Sequence, residues 1–332
     1  MEYSTLLIVS TVVIALAFDF MNGFHDSANS IATIVSTRVL RPQYAVMWAA
    51  FFNFVAFAFF GLHVANTIGK GIVDIHVVDP VLVLSALIAA NIWNILTWYY
   101  GIPSSSSHAL IGGLIGAALV KAGLPSLEFA GIYKVLLYVV LSPLLGFVLG
   151  FFLMGVVGRV LFYAAPTRVH NGSRKFQLVT AALYSIGHGG NDAQKTMGII
   201  AVLLYSSGRL TGEFHIPFWV ICACQVAMAV GTLFGGWRIV KTMGLKIAKL
   251  TPLGGSCAET SGAITLFLAT AVGAPVSSTH TITGSIMGVG AVNKLSAVRW
   301  GVAKNIVWAW ILTIPCTAVL AAVVWLVCRN FH

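Results

Sequence analysis

Gly101-Ile102-Pro103-Ser104-Ser105-Ser106-Ser107-His108, followed by Gly112 and Gly116, is written twice in this chain. It returns 172 residues later as Gly273-Ala274-Pro275-Val276-Ser277-Ser278-Thr279-His280, followed by Gly284 and Gly288. A second pair keeps the same order. Gly23-Phe24-His25-Asp26-Ser27-Ala28-Asn29 is answered by Gly189-Gly190-Asn191-Asp192-Ala193-Gln194-Lys195, with 166 residues between the aspartates. Both offsets are close to half of the 332 residues. Two motifs repeated in one order at nearly one spacing read as a duplication, and the fold must therefore be built from two related halves.

Composition says what surrounds those halves. With 58% hydrophobic and 8% charged residues and a mean hydropathy of +0.93, the chain lacks the polar surface to solvate a globule of this size. Apolar stretches near or above the roughly 20 residues that cross a bilayer recur at 44–62, 81–100, 133–158, 216–235 and 305–327. The apolar run 6–18 follows Glu2, with no basic residue ahead of it and no small-residue cleavage site behind it, so it reads as the first span and not as a secretory signal. The five cysteines, Cys222, Cys224, Cys257, Cys316 and Cys328, lie in apolar segments without metal or disulfide spacing. The net charge of +10 comes from basic residues clustered at span ends, which points to membrane topology and away from nucleic acid.

The expected fold is an all-α integral membrane protein of about ten segments. Residues 1–165 hold the first repeat, in segments 5–37, 43–63, 81–100, 103–120 and 133–160. Residues 166–175 form a basic cytoplasmic linker. Residues 176–332 hold the second repeat, in segments 176–206, 216–236, 252–272, 275–291 and 305–327. An odd number of segments per half turns the second half upside down. The charge agrees: Arg238, Lys241, Lys246 and Lys249 face a counterpart holding Lys70, Asp74 and Asp79. Placing that run inside, with Arg159, Arg168, Arg174, Lys175, Lys294, Arg299 and Lys304, leaves both termini outside the inner (plasma) membrane. Full-length spans at 81–100 and 103–120 would put the Ser-rich junction at a surface, whereas the symmetry wants both junctions at mid-depth. Re-entrant hairpins resolve this without altering the charge topology. Inverted repeats that rock about a midplane site are the architecture of secondary transporters.

Ionisable groups in a bilayer cost at least ~2.5 kcal/mol each, so they mark function. Asp26 and Asp192 lie in breaks rich in Gly and Asn, beside Asn22 and Asn191, where freed backbone and side chains can hold ligands. The hydroxyls of Ser105, Ser106 and Ser107 and of Ser277, Ser278 and Thr279 follow a proline that suits a helix start, and together with the free N–H groups of that first turn they form an oxyanion site. An ordinary N-cap would need only one of them. His108 and His280 are either packed core imidazoles or titratable contacts to an oxyanion. Glu259 is a candidate cation or proton ligand, and Asp19 is a further buried acid. Lys195 stands where the first half has Asn29, breaking the symmetry with one positive charge.

A charge count turns these residues into a mechanism. An oxyanion such as phosphate beside Asp26 and Asp192, with Lys195 alone in compensation, leaves a negative surplus that a low-dielectric site does not tolerate. Cations must enter with it: protons, sodium, or a divalent metal paired with the anion. An intramembrane hydrolase is the rival from another class. Adjacent Ser107 and His108 do not make a nucleophile–base geometry, and a doubled, inverted set suits alternating access better than one active site. No enzymatic role and no bound cofactor are expected, and no metal site is assigned.

The same residues resemble a known family. Asn22-Gly23-Phe24-His25-Asp26-Ser27-Ala28-Asn29, His188-Gly189-Gly190-Asn191-Asp192 and the two Pro-Ser motifs are similar to the duplicated signatures of the inorganic phosphate transporter (PiT) family. The resemblance spans both halves. It implies phosphate as substrate, cation-coupled uptake and a homodimer in the bilayer, with Asp26, Asn29, Ser105, Ser106, Ser107, Asp192, Lys195, Ser277, Ser278 and Thr279 binding substrate. Asn22, Asn191, Asp26, Asp192, Glu259, His108 and His280 would couple the cation or proton. Sodium-coupled members typically carry Asn in both Asp-x-x-Asn motifs. Asp192-Ala193-Gln194-Lys195 departs from that and is closer to bacterial low-affinity carriers driven by protons, which take phosphate or a metal-phosphate complex. A sodium-coupled symporter, or a sulfate or divalent-metal carrier on the same fold, is the alternative.

Overall fold

The structure, a computed structural model, describes residues 5–292 and 294–329, with all their side chains except that of Lys70. Glu2, the two chain ends and the Lys70 side chain, on which the expected topology drew, therefore lie outside the described residues. The first half forms α1 (Thr5–Ser36), α2 (Pro42–Val55), α3 (His63–Gly71), α4 (Pro80–Tyr100), α5 (Ser106–Ala122) and α6 (Phe129–Val160). The second forms α7 (Pro166–Ser206), α8 (Phe218–Phe234), α9 (Trp237–Lys241), α10 (Pro252–Ala271), α11 (Ser278–Ala291) and α12 (Trp300–Cys328). The protein is all-helical, with no strand among the described residues.

Local chemistry sets these boundaries in matched pairs. Pro80 and Pro252 open α4 and α10, capped by Asp79 and Thr251, whose side chains accept from the Leu82 and Gly254 amides. Both helices run into the glycine of the repeated motif, Gly101 at φ 67° and Gly273 at φ 66°, a left-handed turn that a side chain would strain. The caps, the glycines and the following Ser105 and Ser277 all keep the offset of 172 residues.

Hydrogen bonds between α1 and α7 fix how the halves are related. Thr196 donates to Asp19 at 2.9 Å, Ser30 lies 3.3 Å from His188, and Thr37 donates to Gln177 at 2.8 Å. Numbers rise along α1 as they fall along α7, so the equivalent helices run antiparallel and cross near Asp26 and Asp192. A two-fold operation between antiparallel helices has its axis across them, which is the inverted relation. The packing repeats accordingly: α1 meets α8 as α7 meets α2, and α6 meets α11 as α12 meets α5. Thr67 donates to the Gly273 carbonyl at 2.8 Å and Thr242 to that of Gly101 at 2.9 Å, one contact made twice.

The α4–α5 hairpin is re-entrant in form. Lys121, at the end of α5, pairs with Asp79, at the start of α4, at 2.6 Å, so both open ends lie together. The tip reaches the level of Asp26, where His25 lies 3.1 Å from Thr97. In the α10–α11 hairpin a side chain at Gly254 would come within 3.2 Å of Val289, again bringing the open ends together, while its tip bonds to Asn191.

Four helices, α1, α4, α6 and α12, are long and apolar enough to cross a membrane, and six spans result if each bent pair counts as one. Those pairs are Pro42–Ala58 with His63–Gly69, bent by 83°, and Phe218–Phe234 with Trp237–Lys246, bent by 61°. The remaining expected segments, 103–120, 176–206, 252–272 and 275–291, form α5, α7, α10 and α11. These are either short or interrupted by polar residues, because they pack inside the bundle and not against lipid. Only 22% and 17% of the apolar windows of α6 and α12 are buried, and their outward Val140, Phe152, Leu312 and Val319 form the lipid-facing surface of a multi-pass membrane protein. Three expectations change. Asn22 and Asp26, and Asn191 and Asp192, lie inside the unbroken helices α1 and α7 and not in breaks, so their side chains and not freed backbone groups line the crossing. Residues 166–175 are the first turns of α7, with the connection at 161–165. The chain beyond residue 60 and beyond residue 236 continues as a second half-helix after the bend.

Candidate functional site

At the crossing, α1 and α7 bring Asp26 and Asp192 together, and the tips of both hairpins close over them. Ser278 of α11 donates to Asp192 Oδ2 at 2.5 Å, and Thr279 donates to Asp26 Oδ1 at 3.4 Å. The Asn29 amide donates to Ser278 Oγ at 3.2 Å and Thr279 Oγ1 at 3.0 Å. Lys195 holds the other hairpin: its ammonium donates to Asp192, to Ser107 Oγ at 2.6 Å and to the Val276 carbonyl at 2.6 Å. Residues more than 80 positions apart thus form one cluster, and all are buried. The N-termini of α5 and α11 face it, adding two positive helix ends.

The remaining predicted residues divide. Ser105 and Ser277 act as N-caps, their hydroxyls accepting from the His108 and His280 amides at 3.2 Å. Ser106 is buried with no partner for its hydroxyl. Asn191 points to the hairpin tip, donating to Thr270 at 3.0 Å and the Ala274 carbonyl at 3.2 Å. Asn22 is buried beside Asp19. His108 and His280 face each other across the pseudo-axis, ring centroids 4.6 Å apart, and His280 stacks on Trp310 at 3.8 Å. Neither imidazole is bonded to an acid of the cluster among the described residues. Glu259 lies apart, accepting from Thr33 at 2.6 Å, Gln177 at 2.9 Å and Thr180 at 2.5 Å, on the side of the α7 N-terminus.

Two histidines belong to the cluster although the motifs alone did not single them out. His25 Nδ1 lies 2.6 Å from Asp26 Oδ1, and His188 Nε2 lies 3.1 Å from Asp192 Oδ2. The i,i+4 spacing of His188 and Asp192 on a helix was the available signal. Donor atoms of Asp26, His188 and Asp192 lie within 4.8 Å of one another, and carboxylate with imidazole suits a hard or borderline cation. Charge in the cluster is two carboxylates against one ammonium. It can hold an anion on helix ends, hydroxyls and Lys195, provided that cations offset the aspartates.

Comparison with known proteins agrees over nearly the whole chain. A family model described as the phosphate transporter family matches residues 22–321. A probable low-affinity inorganic phosphate transporter of Rhizobium meliloti is 61% identical over 316 residues, 95% of each chain. One of the same description from Bacillus subtilis is 47% identical over 330 residues, 98% of each. A solved structure described as the sodium-dependent phosphate transporter superposes with a TM-score of 0.88 at 28% identity, covering 99% of this chain and 100% of that one.

Proposed function

The chain belongs to the phosphate transporter family, and from that premise we propose that it takes up inorganic phosphate by proton-coupled symport with alternating access. One observation carries the reading: two hydroxyl-rich helix starts from opposite halves meet over Asp26, Asp192 and Lys195 in a single buried cluster. Phosphate, or a metal-phosphate complex, binds to Ser106, Ser107, Ser278, Thr279, Asn29 and Lys195. Asp26 and Asp192, each with a histidine beside it, carry the compensating protons or cation. Glu259 is a cation or proton ligand on the path to the side where α7 begins.

Lys195 supports the proton reading. Its ammonium fills the space beside Asp192 with three oxygen acceptors, the place and coordination that a small cation would otherwise take. Sodium coupling is the second reading, favoured by the likeness to a transporter described as sodium-dependent. Rocking of the inverted halves opens the cluster to either side in turn. By the positive-inside rule, the basic ends at Arg168, Lys249 and Arg299 face the cytoplasm and both termini face out of the inner membrane. A homodimer is the assembly that the family resemblance implies.

The test is uptake of labelled phosphate into proteoliposomes under imposed proton or sodium gradients, with phosphate, arsenate, sulfate and divalent metals as competitors. Uptake should follow the proton gradient and yield to phosphate and arsenate. Competition by sulfate equal to that by phosphate would overturn the substrate, and uptake that follows sodium and ignores the proton gradient would overturn the coupling ion.

A further inference from the structure

α1 carries more than the central carboxylate. Asp19, Asn22, Asp26, Asn29 and Thr33 follow one another at alternating steps of three and four residues, so they line one face, and all five are buried. Polar groups inside a bilayer need partners at every level of such a stripe. Asp26 has its partners in the central cluster, Asn29 donates to two hydroxyls there, and Thr33 has Glu259. Asp19 is only half satisfied.

Thr196 donates to Asp19 Oδ1 at 2.9 Å, but Oδ2 is buried without a partner, and so is Oδ1 of Asn22 one turn further on. Asn22 and Cys224 of α8 lie within hydrogen-bonding reach of the carboxylate, and the charge that acts on it is that of Asp192, of the same sign. Among the described residues no base approaches Asp19 from the elements packed on α1. Lys195 and His188 of α7 are engaged with Asp192. Arg238 of α9 is exposed and lies over Trp98 and Tyr99. Tyr44 of α2 and Tyr99 and Tyr100 of α4 are exposed, Glu259 meets α1 only at Thr33, and His108 and His280 face each other. Two orphaned acceptor oxygens and a carboxylate without counter-charge are a site awaiting a cation.

We infer that Asp19, Asn22 and Thr196 form a second binding station for a monovalent cation, a proton or an alkali ion, on the Thr5 side of the central cluster. Seven residues separate Asp19 from Asp26, about 10 Å along the helix. Thr33, with Glu259, lies seven residues beyond Asp26, so carboxylates mark three successive levels of the α1–α7 crossing. Unlike the central cluster, the outer station has no lysine filling it among the described residues, so its cation must be exchangeable. The inference rests on the cation-coupled reading above.

The experiment measures cations moved per phosphate in proteoliposomes, by titrating an opposing proton or sodium gradient until net phosphate flux stops. Asp19→Asn should move one cation fewer per phosphate than wild type and, under a tenfold gradient, lower the accumulation limit about tenfold. Asp19→Glu should restore the wild-type ratio. Loss of the proton-driven part identifies a proton, and loss of the sodium-driven part an alkali ion. If Asp19→Asn does not fold, Thr196→Val removes only a neutral ligand and should raise the half-saturating cation concentration severalfold at fixed phosphate. An unchanged ratio in Asp19→Asn, or an unchanged half-saturation in Thr196→Val where that variant serves, overturns the station while leaving coupled transport standing. A wild type indifferent to every cation gradient overturns the coupled reading itself.

Discussion

Lys195 concentrates the asymmetry of the site in one side chain. Asn29 bridges two hydroxyls of the opposite hairpin, whereas its counterpart Lys195 bridges both hairpins and a carboxylate with a full charge. Lys195→Asn removes that charge and leaves room for a small cation, so proton-driven uptake should fall at least about tenfold, the effect of losing one charge-assisted bond of roughly 1.5–3 kcal/mol. Lys195→Arg should also impair uptake, because a planar fork does not reproduce a compact ammonium among three acceptors. Uptake indistinguishable from wild type in either variant would remove Lys195 from the mechanism. The serines offer a sharper contrast. Ser105→Ala deletes a cap and should cost about 1 kcal/mol of stability with little change in transport, whereas Ser107→Ala deletes a Lys195 partner and should impair transport with little loss of stability. Thermal unfolding and initial uptake rates on the same preparations separate the two.

At the scale of elements, the repeated glycines are explained by how closely helices approach. A Cβ at Gly112 or Gly116 would run into the backbone of α12 at Ile314 or Ala318, and one at Gly284 or Gly288 into α6 at Pro143 or Phe147. These are the small-residue contacts that let helices associate inside lipid, where no hydrophobic force drives them together. Gly288→Val should therefore destabilise by about 1–3 kcal/mol and lower both the melting temperature and the monodisperse yield in detergent. A variant as stable as wild type would show that α6 and α11 can part at no cost. Sequence disclosed these elements unevenly. The halves, the hairpins and the central residues were legible because duplication writes each of them twice. The half-helices α3 and α9 were not, since they continue after sharp bends with no apolar period of their own. The basic run 166–175 read as a linker because charge marks the edge of lipid. A helix of 41 residues, about 60 Å long, simply outruns the bilayer. His188 was readable from its i,i+4 spacing to Asp192, whereas the meeting of Thr33 with Gln177 and Thr180 on Glu259 depends on a helix crossing that no local pattern records.

For the whole molecule, the antiparallel crossing of α1 and α7 commits the chain to one sidedness that can be tested directly. Arg209 at the end of α7 donates to Thr5 at the start of α1 at 2.7 Å, so those two ends share a face. Asp74, His76, Glu213 and Tyr205 line one cavity there, which adds the entry to α4. Ser256 of α10 approaches the Ser173 carbonyl of α7 at 3.5 Å, so Arg168 and the start of α10 share the opposite face. The positive-inside rule predicts that this opposite face is cytoplasmic, since it carries Arg159, Arg168, Arg174 and Lys175. In a background freed of the five native cysteines, Glu213→Cys should react with a membrane-impermeant maleimide in right-side-out vesicles. Arg168→Cys should react only in inside-out vesicles. Both positions are exposed side chains, so slow labelling from burial does not confuse the outcome. Labelling of both from one face would dismantle the inverted repeat and, with it, rocking about a central site. Labelling from opposite faces with the signs exchanged would keep the fold and the site but reverse the orientation, placing the Asp19 station on the cytoplasmic side of the central aspartates.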